Sequence, residues 1–257
     1  MLKRSIISAF VLLLLACPLY AEDNNDKIYQ VSTIDALMEG LYEGNITFGK
    51  LKEHGDFGLG TFNNVDGEML GLDGQFFQIK TDGKAYLVPD DLKTPFAVVK
   101  FFNTDSEFQI KKTCKLSEIK EILDNNLPTK NIFYAFRIDG KFEYLKTRSV
   151  PTQQKPYPPL LEVVKEQTIF ELYDVKGTIV GFWFPEYAKD INVSDYHFHF
   201  ITDDRKAGGH VLDCISTDIK VKVDYVHDLT IKLLDSKDFY NLNLSDKEEN
   251  QLQGVEH

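Results

Sequence analysis

Basic residues are fewer than acidic residues in this sequence. Its 257 residues contain 29 Lys and Arg against 40 Asp and Glu, which gives a formal net charge of -11. A surface of this sign repels polyanions over most of its area, so we expect no nucleic acid among the partners. The sequence also has no low-complexity tract and no internal repeat of fixed period. With 43% hydrophobic and 27% charged residues, this excludes a disordered or collagen-like chain.

Proline and methionine are few, whereas large aromatic residues are many. The sequence has 9 Pro and 3 Met against 19 Phe and 12 Tyr. Aromatic residues are enriched on half-buried strand faces, so this composition favours strands over a helical bundle. We therefore expect an α+β protein with a substantial core.

A long hydrophobic run is also missing, apart from one short stretch at the N-terminus. Lys3 and Arg4 precede an apolar run over residues 6–16, which is too short to span a bilayer and is typical of a secretory signal. We predict a signal peptide over residues 1–21, cut after Ala21. The alternative is a lipoprotein cut before Cys17. Either way the protein is expected to be exported, periplasmic or secreted, with no membrane span.

Only three cysteines are present, and Cys17 leaves with the signal or carries lipid. Cys114 and Cys214 remain in an oxidising compartment, where pairing is chemically possible. Two buried free thiols are the alternative, because no local motif joins these residues.

The pattern along the mature chain predicts two units. Over residues 22–150, Asp-Gly pairs at 66–67, 73–74 and 82–83 indicate hairpins, and helical periodicity appears near residue 34 and over 117–127. This predicts an N-terminal mixed β-sheet with flanking helices. Four prolines within residues 151–159 mark a rigid crossover. Beyond it, residues 151–257 are expected to form a C-terminal metal-binding β domain with a returning tail. Its six short strands are expected to form a small barrel-like arrangement or a sandwich. Its predicted strands are 168–175, 178–184, 196–202, 210–216, 219–226 and 229–234.

Three histidines stand out in the second unit. Residues 196–200 alternate aromatic and histidine, so His197 and His199 leave the same face of one strand. A turn-rich connection ends in Gly208 and Gly209, and hairpin pairing would bring His210 opposite them. Three imidazoles can hold a borderline divalent ion and leave a position open, as in catalytic zinc sites. A solvated strand face is the alternative for the first two.

Two further observations bear on the hypothesis of a three-histidine metal site. A cupin-type barrel also uses two histidines at this spacing but requires a glutamate a few residues later, where this sequence has Ile201 to Asp204. His54, His227 and His257 have no partners at ligand spacing.

Six blocks of sequence are distributed over nearly the whole mature chain, at residues 58–62, 66–69, 72–74, 147–151, 196–200 and 208–210. Together they resemble the α-acetolactate decarboxylase family. The blocks occur in the family's order, and their combination is far more specific than the two alternating histidines.

The resemblance implies a zinc enzyme that converts 2-acetolactate to acetoin and CO2 without an organic cofactor. His197, His199 and His210 would be the Zn2+ ligands. Three further residues match the family's polar active-site residues, and Thr61 matches one close to them; the three are Glu68, Arg148 and Glu256. The implied fold has two α/β domains with the site between them and an N-terminal sheet that extends across a homodimer.

Residue chemistry suggests roles and leaves alternatives open. Arg148 can orient the substrate carboxylate with its forked donors, and Glu68 or Glu256 can deliver a proton after CO2 leaves. Glu68 could instead be a solvated hairpin residue, and Arg148 and Thr61 ordinary strand residues. The competing function is an exported metal-binding β-domain protein or lipoprotein without catalytic activity.

Overall fold

The computed structural model describes residues 26–244. The predicted signal peptide, Cys17 and Glu256 therefore lie outside the described residues. The helices are α1 (Ile34–Met38), α2 (Phe48–Leu51), α3 (Leu116–Asn126), α4 (Leu160–Val163) and α5 (Lys237–Tyr240). The strands are β1 (Lys27–Val31), β2 (Ile46–Thr47), β3 (Phe57–Thr61), β4 (Glu68–Leu72), β5 (Gln75–Ile79), β6 (Ala85–Leu87), β7 (Lys93–Thr94), β8 (Ala97–Lys100), β9 (Ser106–Ile110), β10 (Cys114–Lys115), β11 (Phe133–Ser149), β12 (Thr168–Phe184), β13 (Asp195–Thr202), β14 (Gly208–Val226) and β15 (Asp228–Lys232).

The first sheet is mixed and has seven strands in the order β15-β1-β8-β3-β4-β5-β6. Only the β1–β15 pair is parallel, and the other pairs are antiparallel. Asp73 and Gly74 both have positive φ, 53° and 75°, and join β4 to β5. Positive φ at both central residues suits the twist of a two-residue hairpin, so the Asp-Gly prediction is confirmed at this turn.

The second sheet consists mainly of three long antiparallel strands. β11 and β12 have 17 residues each and β14 has 19, and the path β10-β14-β11-β12-β13 is completed by β9 against β14. β13 also pairs with the start of β14. The molecule is mostly strands with a few helices and has no closed barrel among the described residues.

The predicted barrel of six short strands is therefore wrong. Residues 168–175 and 178–184 belong to one strand, and so do 210–216 and 219–226. Residues 176–177 and 217–218, which separate the predicted strands, lie within β12 and β14. Thr217 has no partner in the β11–β14 register, which passes from Asp218 to Ser216 at an irregularity. Such a bulge bends a strand without ending it.

Strands from both sides of the proline-rich segment share the sheets. β11 precedes that segment and pairs with β12 and β14, which follow it, while β15 pairs with β1 at the edge of the first sheet. The proposed division at residue 150 stays a prediction. In the described part of the chain, both sheets are assembled from sequence on either side of it.

One large apolar cluster lies between the two sheets. It contains Leu59 and Val98 of the first sheet and Val180 and Phe182 of the second, all at most 1% exposed. A second cluster packs Ile119 and Leu123 of α3 beneath the other face of the second sheet. The aromatic side chains of β13 belong to this second cluster. Because side chains alternate along a strand, the histidines of β13 face the first sheet.

Two remaining predictions concern cysteines and membranes. Cys114 and Cys214 are both buried, and both thiols are free in the structure. Between residues 26 and 244, no helix is long and apolar enough to cross a membrane.

Candidate active site

His197, His199 and His210 come together as the strand periodicity predicted. Each ring offers one nitrogen to a group whose members all lie within 4.8 Å of one another, and all three residues are buried. His199 lies opposite His210 in the β13–β14 register. Cross-strand neighbours have close Cβ atoms, so this register and the alternation along β13 suffice to form the cluster.

Two glycines allow this close pairing. A Cβ on Gly208 would lie 2.2 Å from the carbonyl oxygen of Phe200, and one on Gly209 would lie 2.5 Å from that of Arg148. Gly209 also has a φ of +142°. Only glycine fits without displacing a neighbouring strand, so these residues fix where β14 begins and where His210 lies.

The His199 ring is oriented by the first sheet. Its Nδ1 donates a hydrogen bond to the backbone carbonyl of Met69 at 2.8 Å, and its Nε2 lies 3.2 Å from Nε2 of His197. A backbone acceptor on one ring nitrogen directs the other nitrogen into the cluster, which is the usual support of a metal-binding histidine.

Burial keeps the imidazoles of His197 and His199 neutral. It lowers the pKa of His197 to about 3, and the nearby Arg148 guanidinium acts in the same direction. The pKa of His199 also lies well below its ordinary value, again chiefly through burial. Metal binding requires deprotonated ligands. Three buried, converging imidazoles, two of them held neutral, therefore fit a divalent metal ion, and this donor set could hold one.

Glu68 and Arg148 border the histidine cluster. An oxygen of the Glu68 carboxylate lies 3.5 Å from Nη1 of Arg148, and the other lies 3.5 Å from Nε2 of His199. Both side chains are less than 8% exposed. Glu68 begins β4 of the first sheet, whereas Arg148 is opposite His210 in the second. The site is thus assembled across the two sheets.

Thr61 lies opposite Glu68 in the β3–β4 register. Its hydroxyl donates a 2.7 Å hydrogen bond to the carbonyl of Gly67, which precedes Glu68. This bond fixes the turn that delivers the carboxylate. Glu256 lies outside the described residues, so the structure brings together six of the seven predicted site residues.

A cavity joins these groups and adds residues that the sequence did not point to. The volume open to the centre of a water-sized molecule is about 40 Å3, so the cavity is small. Thr61, Glu68, Arg148 and the three histidines supply its polar lining. The apolar lining consists of Ile34, Leu37, Val65, Phe96, Val150 and Leu160, with the backbone of Gly60. No local motif unites these side chains, since they come from separate elements.

Buried imidazoles, a carboxylate and a guanidinium around a partly apolar cavity define an enzyme for a small anionic or polar substrate, with a candidate mononuclear metal site. Comparison with protein families narrows this class, because the family model for alpha-acetolactate decarboxylase matches residues 28–246. The chain belongs to the α-acetolactate decarboxylase family.

Individual relatives agree with this assignment. An alpha-acetolactate decarboxylase of Methanosarcina mazei is 48% identical over 93% of this chain and 83% of its own length. One of Bacillus licheniformis is 43% identical over 87% of this chain and 88% of its own length. The crystal structure of the Bacillus subtilis strain 168 enzyme superposes with a TM-score of 0.88 at 40% identity, covering 90% of this chain and 99% of that chain.

Proposed function

We propose that this protein catalyses zinc-dependent decarboxylation of 2-acetolactate to acetoin and CO2, as a step of acetoin and butanediol formation. Family membership supports the reaction. The observation that carries the mechanism is the buried three-histidine cluster with Glu68 and Arg148 beside it in one cavity.

The imidazole nitrogens of His197, His199 and His210 would hold the metal. Three imidazoles are a donor set that zinc commonly takes in catalytic sites, with a position left for substrate. A bound Zn2+ would supply Lewis-acid polarisation of the substrate oxygens as charge develops beside them.

Arg148 would orient the substrate carboxylate. Its guanidinium is buried and faces the cavity, and its donors match a carboxylate bidentately. A very tight grip would stabilise the ground state as much as the transition state and would not accelerate the loss of CO2. The contact at 3.5 Å to Glu68 supports an orienting role, because it holds the guanidinium in place before substrate binds.

Glu68 would deliver the proton that replaces the carboxylate. Loss of CO2 leaves an electron pair on C2 of the substrate, and a proton must reach one face of that carbon. Glu68 lies beside His199 and faces the same cavity, so its carboxyl group is close to where that carbon would be held. Glu256 is the alternative donor or a further metal ligand, as the family resemblance suggests.

Acetoin release from 2-acetolactate by the purified mature protein tests the reaction. We expect turnover that a chelator abolishes and added Zn2+ restores, with one zinc per chain by metal analysis. His54→Gln serves as the control because His54 stacks on Tyr29, outside the cavity lining. Full zinc occupancy in the triple alanine variant of the three histidines would refute the metal assignment. Metal without turnover would favour the alternative, an exported metal-binding protein without activity.

The two candidate acids can be separated. Glu68→Gln keeps size and hydrogen bonding but cannot release a proton, so the donor role predicts a loss of roughly 10²–10⁴-fold in kcat with zinc retained. Deletion of Val255 to His257 tests Glu256 in the same assay. The variant that loses turnover while keeping its melting temperature and zinc identifies the proton donor.

Export and assembly complete the proposal. The protein would be exported after cleavage behind Ala21 or before Cys17, and it would form a homodimer through its first sheet, as the family resemblance suggests. The mass of the mature N-terminus separates the two cleavages. Sedimentation gives the number of chains, and a monomer at assay concentration would contradict the dimer.

A further inference from the structure

Two residues of α1 form part of the apolar lining of the cavity. Ile34 and Leu37 are three residues apart on one helix face, and both are at most 6% exposed. Leu160, at the start of α4, lines the same cavity, and α4 packs against α1. Ile34, Leu37 and Leu160 form an apolar wall of the cavity. They belong to no recognised motif, and the proposed proton transfer does not involve them.

A buried polar pair fixes the beginning of α1. The amide nitrogen of Gln30 donates to the carbonyls of Ser32 and Ile191 at 2.8 and 2.7 Å, and the amide of Asn192 donates to the side-chain oxygen of Gln30 at 2.8 Å. The backbone N–H of Ile34 donates to Ile191 at 2.9 Å. Gln30 and Asn192 are at most 1% exposed. Buried amides with these partners hold a unique geometry, so they fix the helix start to residues 191–192.

The end of α1 is fixed as well. Gly40 has a φ of +88°, and a Cβ there would lie 3.2 Å from the carbonyl oxygen of Pro158. The Tyr42 hydroxyl donates to the same carbonyl at 2.8 Å. Pro158 precedes α4, so this end of α1 and the segment leading to Leu160 are held together. A five-residue helix has little rigidity of its own, and these contacts supply it.

We propose that Ile34 and Leu37 contact the alkyl substituents of the substrate and limit the length of the group on C2, with Gln30 and Asn192 as positioning residues. This rests on the proposed function. The hydroxyl, ketone and carboxylate of a 2-hydroxy-2-alkyl-3-oxo acid match the polar lining. Its alkyl groups then face the apolar side chains, because an apolar group gains nothing from contact with the imidazoles or the guanidinium.

Competition between two substrates tests the proposed limit on the length of the group on C2. The probes are 2-hydroxy-2-methyl-3-oxobutanoate and its 2-ethyl homologue, and the measured quantity is the ratio of their kcat/KM values. One methylene in an apolar pocket typically changes this ratio by tenfold or more. We expect Leu37→Ala to shift the ratio toward the 2-ethyl substrate by at least about tenfold. Ile34→Val, which removes one methyl group, should shift it in the same direction and provides the test if Leu37→Ala fails to fold.

Met38→Ala is the matched control. Met38 is buried in the same helix but does not line the cavity. Its replacement by alanine creates a void elsewhere and should leave the ratio of kcat/KM values unchanged. An unchanged ratio in Leu37→Ala and Ile34→Val, with both proteins folded and active on the 2-methyl substrate, would overturn the proposal. Absence of activity on either substrate in the parent protein would instead refute the proposed function.

Asn192→Ala tests the positioning pair. Loss of its bond to Gln30 should loosen α1, raise KM more than it lowers kcat and relax the same substrate ratio, while zinc content stays at the parental level. A purely structural role would lower the melting temperature and leave the ratio unchanged. That result would remove Gln30 and Asn192 from the proposal.

Discussion

At the scale of single residues, function depends on what each polar side chain contacts in the other sheet. His199 belongs to β13, but its orientation comes from the Met69 carbonyl in β4. Glu68 belongs to the first sheet, yet it lies 3.5 Å from both His199 and Arg148. What each of these side chains can do therefore depends on the packing between the two sheets as well as on its own chemistry.

Arg148→Lys separates charge from shape. A lysine keeps the positive charge but cannot present two parallel donors to a carboxylate. We expect kcat/KM for 2-acetolactate to fall by roughly 10–100-fold, since a misplaced substrate is costly, while zinc binding is retained. Arg137→Lys, in the same strand but paired with Asp73 and Asp139, is the control and should retain turnover. Unchanged kcat/KM would make Arg148 a structural residue.

The depressed pKa of His197 predicts how the metal-free protein responds to acid. An unfolded histidine binds a proton near pH 6.5, whereas His197 in the folded chain does so only near pH 3. Between these values the unfolded state binds more protons, so stability is lost as the pH falls below about 6.5. One such group contributes up to about 1.4 kcal/mol per pH unit to the free energy of unfolding. Denaturant titrations of the metal-free protein at several pH values measure this slope.

His197→Gln provides the comparison for that measurement. The variant has no group to titrate at this position, so its stability should fall less steeply between pH 6.5 and pH 4. Equal slopes in the two proteins would contradict the assigned pKa shift.

At the scale of elements, the turn between β13 and β14 decides whether three histidines become one site. β13 could carry His197 and His199 on one face in many folds, and only the register with β14 adds His210. Gly208 and Gly209 permit the required approach to Phe200 and Arg148. The glycines therefore contribute to the geometry of the candidate metal site without belonging to it.

Gly209→Ala should weaken metal binding through the backbone. The added Cβ would lie 2.5 Å from the Arg148 carbonyl, and φ is +142°, so β14 must shift away from β11. We expect a cost of about 1–3 kcal/mol in stability and a clear drop in zinc affinity by metal titration. Gly74→Ala is the control, because its φ is positive but no atom lies within 4 Å of the added Cβ. It should lose some stability and keep zinc; equal zinc affinity in both variants would contradict the argument.

At the scale of the whole molecule, the two sheets are joined by a buried ion pair as well as by apolar packing. Lys100 ends β8 of the first sheet and contacts Asp224 of β14 in the second, and both side chains are at most 2% exposed. The backbone N–H of Asn103 also donates to Asp224 at 2.6 Å. The pair is thus part of the contact that keeps Glu68 opposite the histidines.

Asp224→Asn should be strongly destabilising. It leaves the Lys100 ammonium buried without its counter-charge, which typically costs about 3–5 kcal/mol. Urea unfolding measures the loss. The double variant Lys100→Met, Asp224→Leu should recover much of it, because a packed apolar pair of similar size replaces two buried charges. Glu53→Gln, in an exposed pair with Lys50, should change stability little. A mild effect of Asp224→Asn would exclude the pair as a link between the sheets.

Local periodicity determined a large part of this protein. Alternation along residues 196–200 placed two histidines on one face, the Asp-Gly pair at 73–74 formed a hairpin, and the amphipathic pattern over 117–127 formed α3, which the structure bounds as Leu116–Asn126. These features depend on neighbours a few residues apart, so the sequence carries them directly. The family blocks also pointed to Glu68, Arg148 and Thr61.

Only the tertiary structure decided the rest. Polar residues at Thr217 and Asp218 resemble a turn, but pairing along β11 carries β14 through them as a bulge, because ladder hydrogen bonds on both sides outweigh the local preference. The apolar wall of Ile34, Leu37 and Leu160 depends on where two short helices dock, and residues far apart in sequence give no local sign of that meeting. Sequence thus determined which face each side chain occupies, whereas packing between the sheets determined which faces meet.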